Sequence, residues 1–194
     1  MKTLSLQEIE KLRVLVFDNA KELLEEANIL FTKGKYARAY ALAHLSSEEL
    51  AKLPILATAG IDLANGATID WKKLSVKLRS HEEKLKGLLF IDFLGKGVNP
   101  TAKEIQVHKQ SLSRVCLLND LKNVSLYAGV YQDSLYKPSA AITEVLADQA
   151  LTAARNRLEL YSSIESVTHG RIAELANRAS YLKLLKMLCV GENG

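Results

Sequence analysis

The sequence predicts an all-α chain. Three observations carry this: only ten glycines and three prolines punctuate 194 residues, helix-favouring Ala, Leu, Lys and Glu dominate, and apolar residues recur at helical spacing. No clear strand pair, internal repeat or low-complexity run is evident. The simplest arrangement is one domain over residues 1–194, a four-helix bundle core with additional C-terminal helices.

Each element has its punctuation. Ser5 stands before Leu6-Gln7-Glu8 as an N-cap with Glu at the third helical position. The first helix then runs to about Thr32 and is stopped by Gly34. A second is expected from near Lys35 through Ala59, kinked by Pro54, with a loop over Gly60 to Thr68. A third covers Ile69 to Leu94 and ends at Gly95-Lys96-Gly97. After Asn99-Pro100-Thr101 a fourth reaches about Leu121. Asn123 to Pro138 reads as irregular, with at most a short turn or strand. A fifth runs from Ser139 to about His169, and a sixth ends near Cys189.

Composition narrows the class. At 48% hydrophobic and 25% charged residues the chain is neither disordered nor collagen-like. No run approaches the roughly eighteen apolar residues of a membrane span. Acids at Glu8 and Glu10 argue against a signal peptide. Cys116 and Cys189 sit among leucines without zinc-site spacing, as reduced, buried thiols would. A cytoplasmic protein with no membrane association is expected. Residues 70–124 hold eleven Lys or Arg against six Asp or Glu, within a chain of net charge +4. That basic third suits a phosphate backbone and equally a solvated helix face.

Polar residues inside apolar stripes mark the candidate site. Leu42, Leu45, Leu53 and Leu56 define the stripe of the second helix, and Glu49 falls within it. A carboxylate there needs a partner, because an unpaired buried charge costs several kcal/mol. Glu48 and Lys52 stand four apart beside it, as an i,i+4 pair. On the third helix His81 lies between Leu78 and Leu85, with Lys84 a turn on and Arg79 nearby. Antiparallel packing would bring Glu49 to His81, a pairing suited to acid–base chemistry. The same residues fit a buried network that fixes helix register. Asn123 and Tyr127 could close over the crevice. His44 and His108 read as surface residues, and His169 as a helix-end feature. No phosphate loop, HExxH, GxSxG, paired ExxH or zinc finger occurs, so no metal or cofactor is called for.

The run Ala27-Asn28-Ile29-Leu30-Phe31 to Gly34-Lys35-Tyr36-Ala37-Arg38-Ala39-Tyr40-Ala41-Leu42-Ala43, followed by Ser47-Glu48-Glu49-Leu50-Ala51-Lys52, resembles the signature of AbiV family abortive infection proteins. His81-Glu82-Glu83-Lys84 is similar to the family's H-x-x-K, and Asn123-Val124-Ser125-Leu126-Tyr127 with Pro138 to its later segment. Ala51 replaces a usual Gly, and Ala128-Gly129 stands where an acid is common. The resemblance covers about residues 20–140. It implies a HEPN-like all-α bundle, often dimeric, in a bacterial protein that halts growth or translation on phage infection.

Many HEPN domains are metal-independent ribonucleases with Arg four to six residues before His. Here Arg79 and His81 are separated by one residue, so that motif is absent. Two readings stay open. In the first, the protein acts on RNA, with Glu49, His81, Lys52 and Lys84 catalytic and Glu48, Arg79, Asn123 and Tyr127 contacting substrate. In the second, the cluster is a structural lock in a non-catalytic module that captures a phage protein or a host translation component. Recognition of a small nucleotide is a third, weaker idea. A homodimer is expected under either main reading.

Overall fold

The computed structural model describes residues 3–94, 101–113, 115–131 and 133–176. The chain is a helical bundle, as expected, but its helices are cut into more pieces than the sequence suggested. Helix α1 (Leu6–Thr32) starts with the capping box read from Ser5 and Glu8: the Glu8 N–H donates to Ser5 Oγ at 3.2 Å, and the Ser5 N–H donates to Glu8 Oε2 at 2.8 Å. Its end is a Schellman closure. Gly34 adopts φ +67°, and the N–H of Lys35 donates to the Leu30 carbonyl at 2.9 Å.

Helix α2 (Tyr36–Leu50) is the centre of the bundle and packs against α1 and against α9 (Glu144–Thr168). It is buried on almost every side through small residues: Ala37, Ala39, Ala41, Ala43, Ser46 and Ser47. Their short side chains let neighbouring backbones approach. Ser46 Oγ donates to the Ala20 carbonyl on α1 at 2.7 Å. The expected single helix from Lys35 to Ala59 is broken at Ala51, and α3 (Lys52–Ala64) follows. Pro54 accounts for the break: without an N–H it cannot bond back to the Leu50 carbonyl, but it is tolerated in the first turn of α3.

The loop expected at Gly60 is helix instead. An added Cβ at Gly60 would lie 2.8 Å from Ile172 Cδ1 and 3.2 Å from Ile172 Cγ2, so glycine here marks a close approach to α10 (Ile172–Ala176). The helix stops later, at Gly66 with φ +76°.

The expected third helix is divided at Ser80 into α4 (Trp71–Arg79) and α5 (His81–Leu94). The fourth becomes α6 (Ala102–Leu112) and α7 (Val115–Leu126). Arg38 donates to the Ser125 and Leu126 carbonyls at 3.3 and 2.8 Å, which caps α7 from α2. The segment read as irregular holds an antiparallel hairpin, β1 (Gly129–Tyr131) with β2 (Ser134–Tyr136), which corrects the expectation of no strand pair. Three residues per strand give no periodicity to read. The turn places Asp133 at φ +60°. A short α8 (Pro138–Ala141) precedes α9, whose N-cap is Thr143. His169 is the C-cap residue of α9, followed by Gly170 at φ +68°.

The expected stop at Gly95-Lys96-Gly97, the end near Cys189 and the Cys116 side chain fall outside the described residues. Among the described residues no helix is long and apolar enough to cross a membrane.

Substituting Gly60→Ala sets helix propensity, worth about 1 kcal/mol in favour of alanine, against overpacking that costs about 1–3 kcal/mol. Overpacking should win, because Ile172 is itself only 1% exposed and has no room to retreat. Urea denaturation should show a lower midpoint for Gly60→Ala, partly recovered by adding Ile172→Val. A midpoint at or above the parent's would contradict this packing.

Candidate functional site

One carboxylate gathers the polar groups. Glu48, in the last turn of α2, is 2% exposed. His44 lies four residues earlier on the same face and places Nε2 3.1 Å from Glu48 Oε1. Ser80 ends α4 in extended conformation and opens α5, with the Lys84 N–H on its carbonyl at 3.3 Å and the Glu83 N–H on its Oγ at 3.3 Å. This turn sets His81 at the first position of α5 and Lys84 one turn further on the same face. His81 Nδ1 is 2.6 Å from Glu48 Oε2, and the Lys84 ammonium donates to the same oxygen at 2.8 Å. From α7, the Lys122 ammonium donates to Oε1 at 3.3 Å and lies 3.2 Å from His81 Nδ1.

Each oxygen of Glu48 therefore meets two donors, which fills the roughly four lone-pair positions of a carboxylate. Burial opposes its charge, but hydrogen bonds from His44 and Lys84, and the positive charge of Lys84, hold the carboxyl far below the usual range. Burial pushes the pKa of His44 down, against the pull of Glu48 and helped by the positive charges of Lys122 and Arg157. The ring of Tyr40 stacks on His44 at 6.2 Å between centroids, and burial lifts the Tyr40 phenol to about 12.

A second pin stands beside the first. Arg157 on α9 grips Asp92 on α5 with Nε and Nη2 at 3.0 and 2.5 Å, and its Nη1 donates to Ser47 Oγ at 3.0 Å. It fastens α5 to α9 and to the residue preceding Glu48.

These positions correct the sequence reading in several places. Glu48, not Glu49, is the carboxylate that meets His81. Glu49 is only partly buried and pairs with Lys52 at the α2–α3 junction, so neither is brought to the cluster. The register slips because the leucine stripe assumed one continuous helix, whereas the buried side of α2 is marked by alanine and serine. Leu42 and Leu45 are only partly buried. His44, expected at the surface, is 7% exposed. Lys84 is brought in, but at 4% exposure it is committed to Glu48.

Arg79 is exposed and donates through Nε to its own helix at the Ser75 carbonyl, 3.2 Å away. Asn123 and Tyr127 are exposed, Tyr127 by 66%, and do not close over the cluster. The sequence reading missed Lys122 as a site residue, although it lies on the inward stripe Val115, Leu118, Lys122, Ser125 of α7.

Chemically, the saturated Glu48 is an orienting anion and not a base. His81 is different: its side chain is 50% exposed while its Nδ1 rests on Glu48. A ring held through one nitrogen by a buried carboxylate and half open to solvent is the arrangement of an oriented imidazole. Two ammonium groups against one carboxylate leave a surplus positive charge. Among the described residues no three His, Cys, Asp or Glu are grouped to hold a metal ion.

The sequence segments that meet here are those of the α2 run and of His81 to Lys84. The HEPN_AbiV family model, described as AbiV, matches residues 8–159. The chain belongs to the AbiV family. The match spans α1 through most of α9, so it takes in Glu48, His81, Lys84, Lys122 and Arg157. The all-α bundle is accordingly HEPN-like. Neither a curated protein nor a solved structure matches this AbiV-family chain.

Two predictions separate the hub from its neighbour. Glu48→Gln leaves two buried ammonium groups facing a neutral amide and should cost about 3–5 kcal/mol, whereas Glu49→Gln should stay within about 0.5 kcal/mol of the parent. Equal losses in urea titrations would contradict the placement of Glu48. Stability should also fall with pH in two steps. His44 is depressed below its ordinary 6.5 and Glu48 below its ordinary 4.5, so in each case the unfolded chain binds the proton first and acid favours unfolding. The loss begins as pH drops through about 6.5 and steepens below about 4.5. In His44→Gln the first step should shrink. A midpoint flat from pH 7 to 5 in the parent would contradict a buried neutral His44.

Proposed function

We propose that this protein is an abortive-infection effector that blocks phage propagation by acting on RNA, as a metal-independent ribonuclease centred on His81. The observation that carries the reading is the half-exposed His81 imidazole held through Nδ1 by the buried, ionised Glu48. With Nδ1 as donor, Nε2 is the basic nitrogen of a half-exposed ring. It takes the proton of a ribose 2′-hydroxyl as that oxygen attacks the adjacent phosphorus. The bond to the 5′-oxygen breaks, and the imidazolium returns the proton to that leaving oxygen.

Glu48 stabilises the imidazolium while it exists. Lys122, buried beside His81 Nδ1 and donating to Glu48, adds positive charge behind the ring without touching the phosphate, and the Arg-x4–6-His spacing is absent. No metal or cofactor enters the scheme. A cytoplasmic homodimer, with its crevice completed across the two-fold axis, belongs to the same proposal.

One observation favours a second reading. Glu48 accepts from three helices at once, as a structural lock would, and the protein would then act by capturing a phage protein or a host translation component without cleaving RNA.

The experiment is cleavage of defined single-stranded RNA, with and without EDTA, by the parent and by His81→Ala, with the fold checked by circular dichroism. The first reading expects EDTA-resistant cleavage that falls at least about 100-fold in a folded His81→Ala variant. Undiminished cleavage by that variant would overturn it. A parent that cleaves nothing, with His81→Ala lowering melting temperature and phage defence in step, would favour the lock.

A further inference from the structure

The outer face of α4 has no use in the cluster. Its nine residues carry Lys72, Lys73, Lys77 and Arg79 and no acid. Lys72, Val76 and Arg79 follow one another at spacings of four and three and so share a stripe, with Lys73 on its flank. Lys72, Lys73 and Arg79 are exposed, and Val76 is 54% exposed. The opposite face is spent inside the protein: Leu74 is buried, and Trp71 and Leu78 pack against the main core.

Asp70, which precedes the helix, uses its carboxylate on the Lys73 N–H at 2.9 Å as the N-cap. The next acids, Glu82 and Glu83, are both met by Lys86, at 2.9 and 3.5 Å. The result is a cationic ridge about 10 Å long, at about 1.5 Å per residue. It ends two residues before His81.

We infer that the Lys72–Lys73–Arg79 face of α4 is a docking rail for the phosphate backbone of single-stranded RNA, which it leads to His81. This rests on the RNA reading of the site and deepens it. Charge complementarity selects a polyanion, and its sequence goes unread, because ammonium and guanidinium groups on one ridge contact phosphates without reaching base edges in a groove. An anionic membrane is the competing surface. A membrane-seated helix, however, inserts an apolar face into lipid, and the apolar face of α4 is already buried in the protein.

The test is fluorescence anisotropy with a labelled 20-nucleotide oligouridylate, across a salt series, for the parent, Lys72→Ala/Lys73→Ala/Arg79→Ala, Lys72→Arg/Lys73→Arg and His81→Ala. Circular dichroism confirms the fold of each. The triple alanine variant should bind at least tenfold more weakly at low salt. Its slope of log affinity against log salt should be shallower by about 2, from three lost contacts of about 0.7 each. The double arginine variant should bind as the parent does, and His81→Ala serves only for the parallel reading of cleavage.

Unchanged affinity and slope in the triple variant would overturn the rail. So would a parent that binds phosphatidylserine vesicles and leaves the RNA unbound. The two readings fail separately: a rail-independent binder whose cleavage still needs His81 removes only the rail, and α4-dependent binding with cleavage indifferent to His81 removes only the catalytic site.

Discussion

A buried carboxylate that stays ionised dictates much of what surrounds it. Glu48 is withdrawn from water, and the loss of its hydration must be offset by donors placed at every lone pair. One donor comes from its own helix and three come from α5 and α7. Alternative registers of α2, α5 and α7 would leave either a bare carboxylate or a bare ammonium. Leucine contacts alone tolerate sliding far better than this. The alanine and serine faces of α2 are the other half of the arrangement, since bulkier residues would hold α1 and α9 too far apart to close over the seam.

The two histidines on this carboxylate differ in burial and in the nitrogen they present to it. His44 is enclosed under Tyr40 and kept neutral, so it serves as a fixed donor. His81 sits where one helix ends and another begins, at the rim, with half of its ring in solvent. The Ser80 break is what puts it there. A continuous helix through Arg79 and Glu82 would carry His81 round with the rest of α4. The Arg157–Asp92 pair then holds the far end of α5, so the imidazole rests on a helix fixed at both ends.

Local chemistry was legible in the sequence wherever it acts within a few residues. The Ser5–Glu8 box and the Gly34 stop were correct because caps depend on near neighbours. The resemblance in the α2 run and in His81 to Lys84 located the right segments. What failed was register across breaks. Ala51 and Ser80 interrupt helices for reasons that involve Pro54 and the site itself, and a stripe extended through them moved the buried acid by one residue. Gly60 read as a loop because glycine serves loops and close helix contacts alike, and only the presence of Ile172 distinguishes them. Lys122 was hidden because a lysine on an apolar stripe suggests a solvated face until its carboxylate is seen. The hairpin was too short to show alternation.

The central claim is that Glu48 orients His81, and the imidazole tautomers test it most directly. The carboxylate at 2.6 Å requires a proton on His81 Nδ1, and the contact of His44 requires one on Nε2. Long-range nitrogen–proton correlation spectra at pH 8 should show the two histidines in opposite tautomers, with His81 reverting to the Nε2–H form in a folded Glu48→Gln variant. His81 found as Nε2–H in the parent would contradict the account, because its Nδ1 would then present a lone pair to an ionised carboxylate.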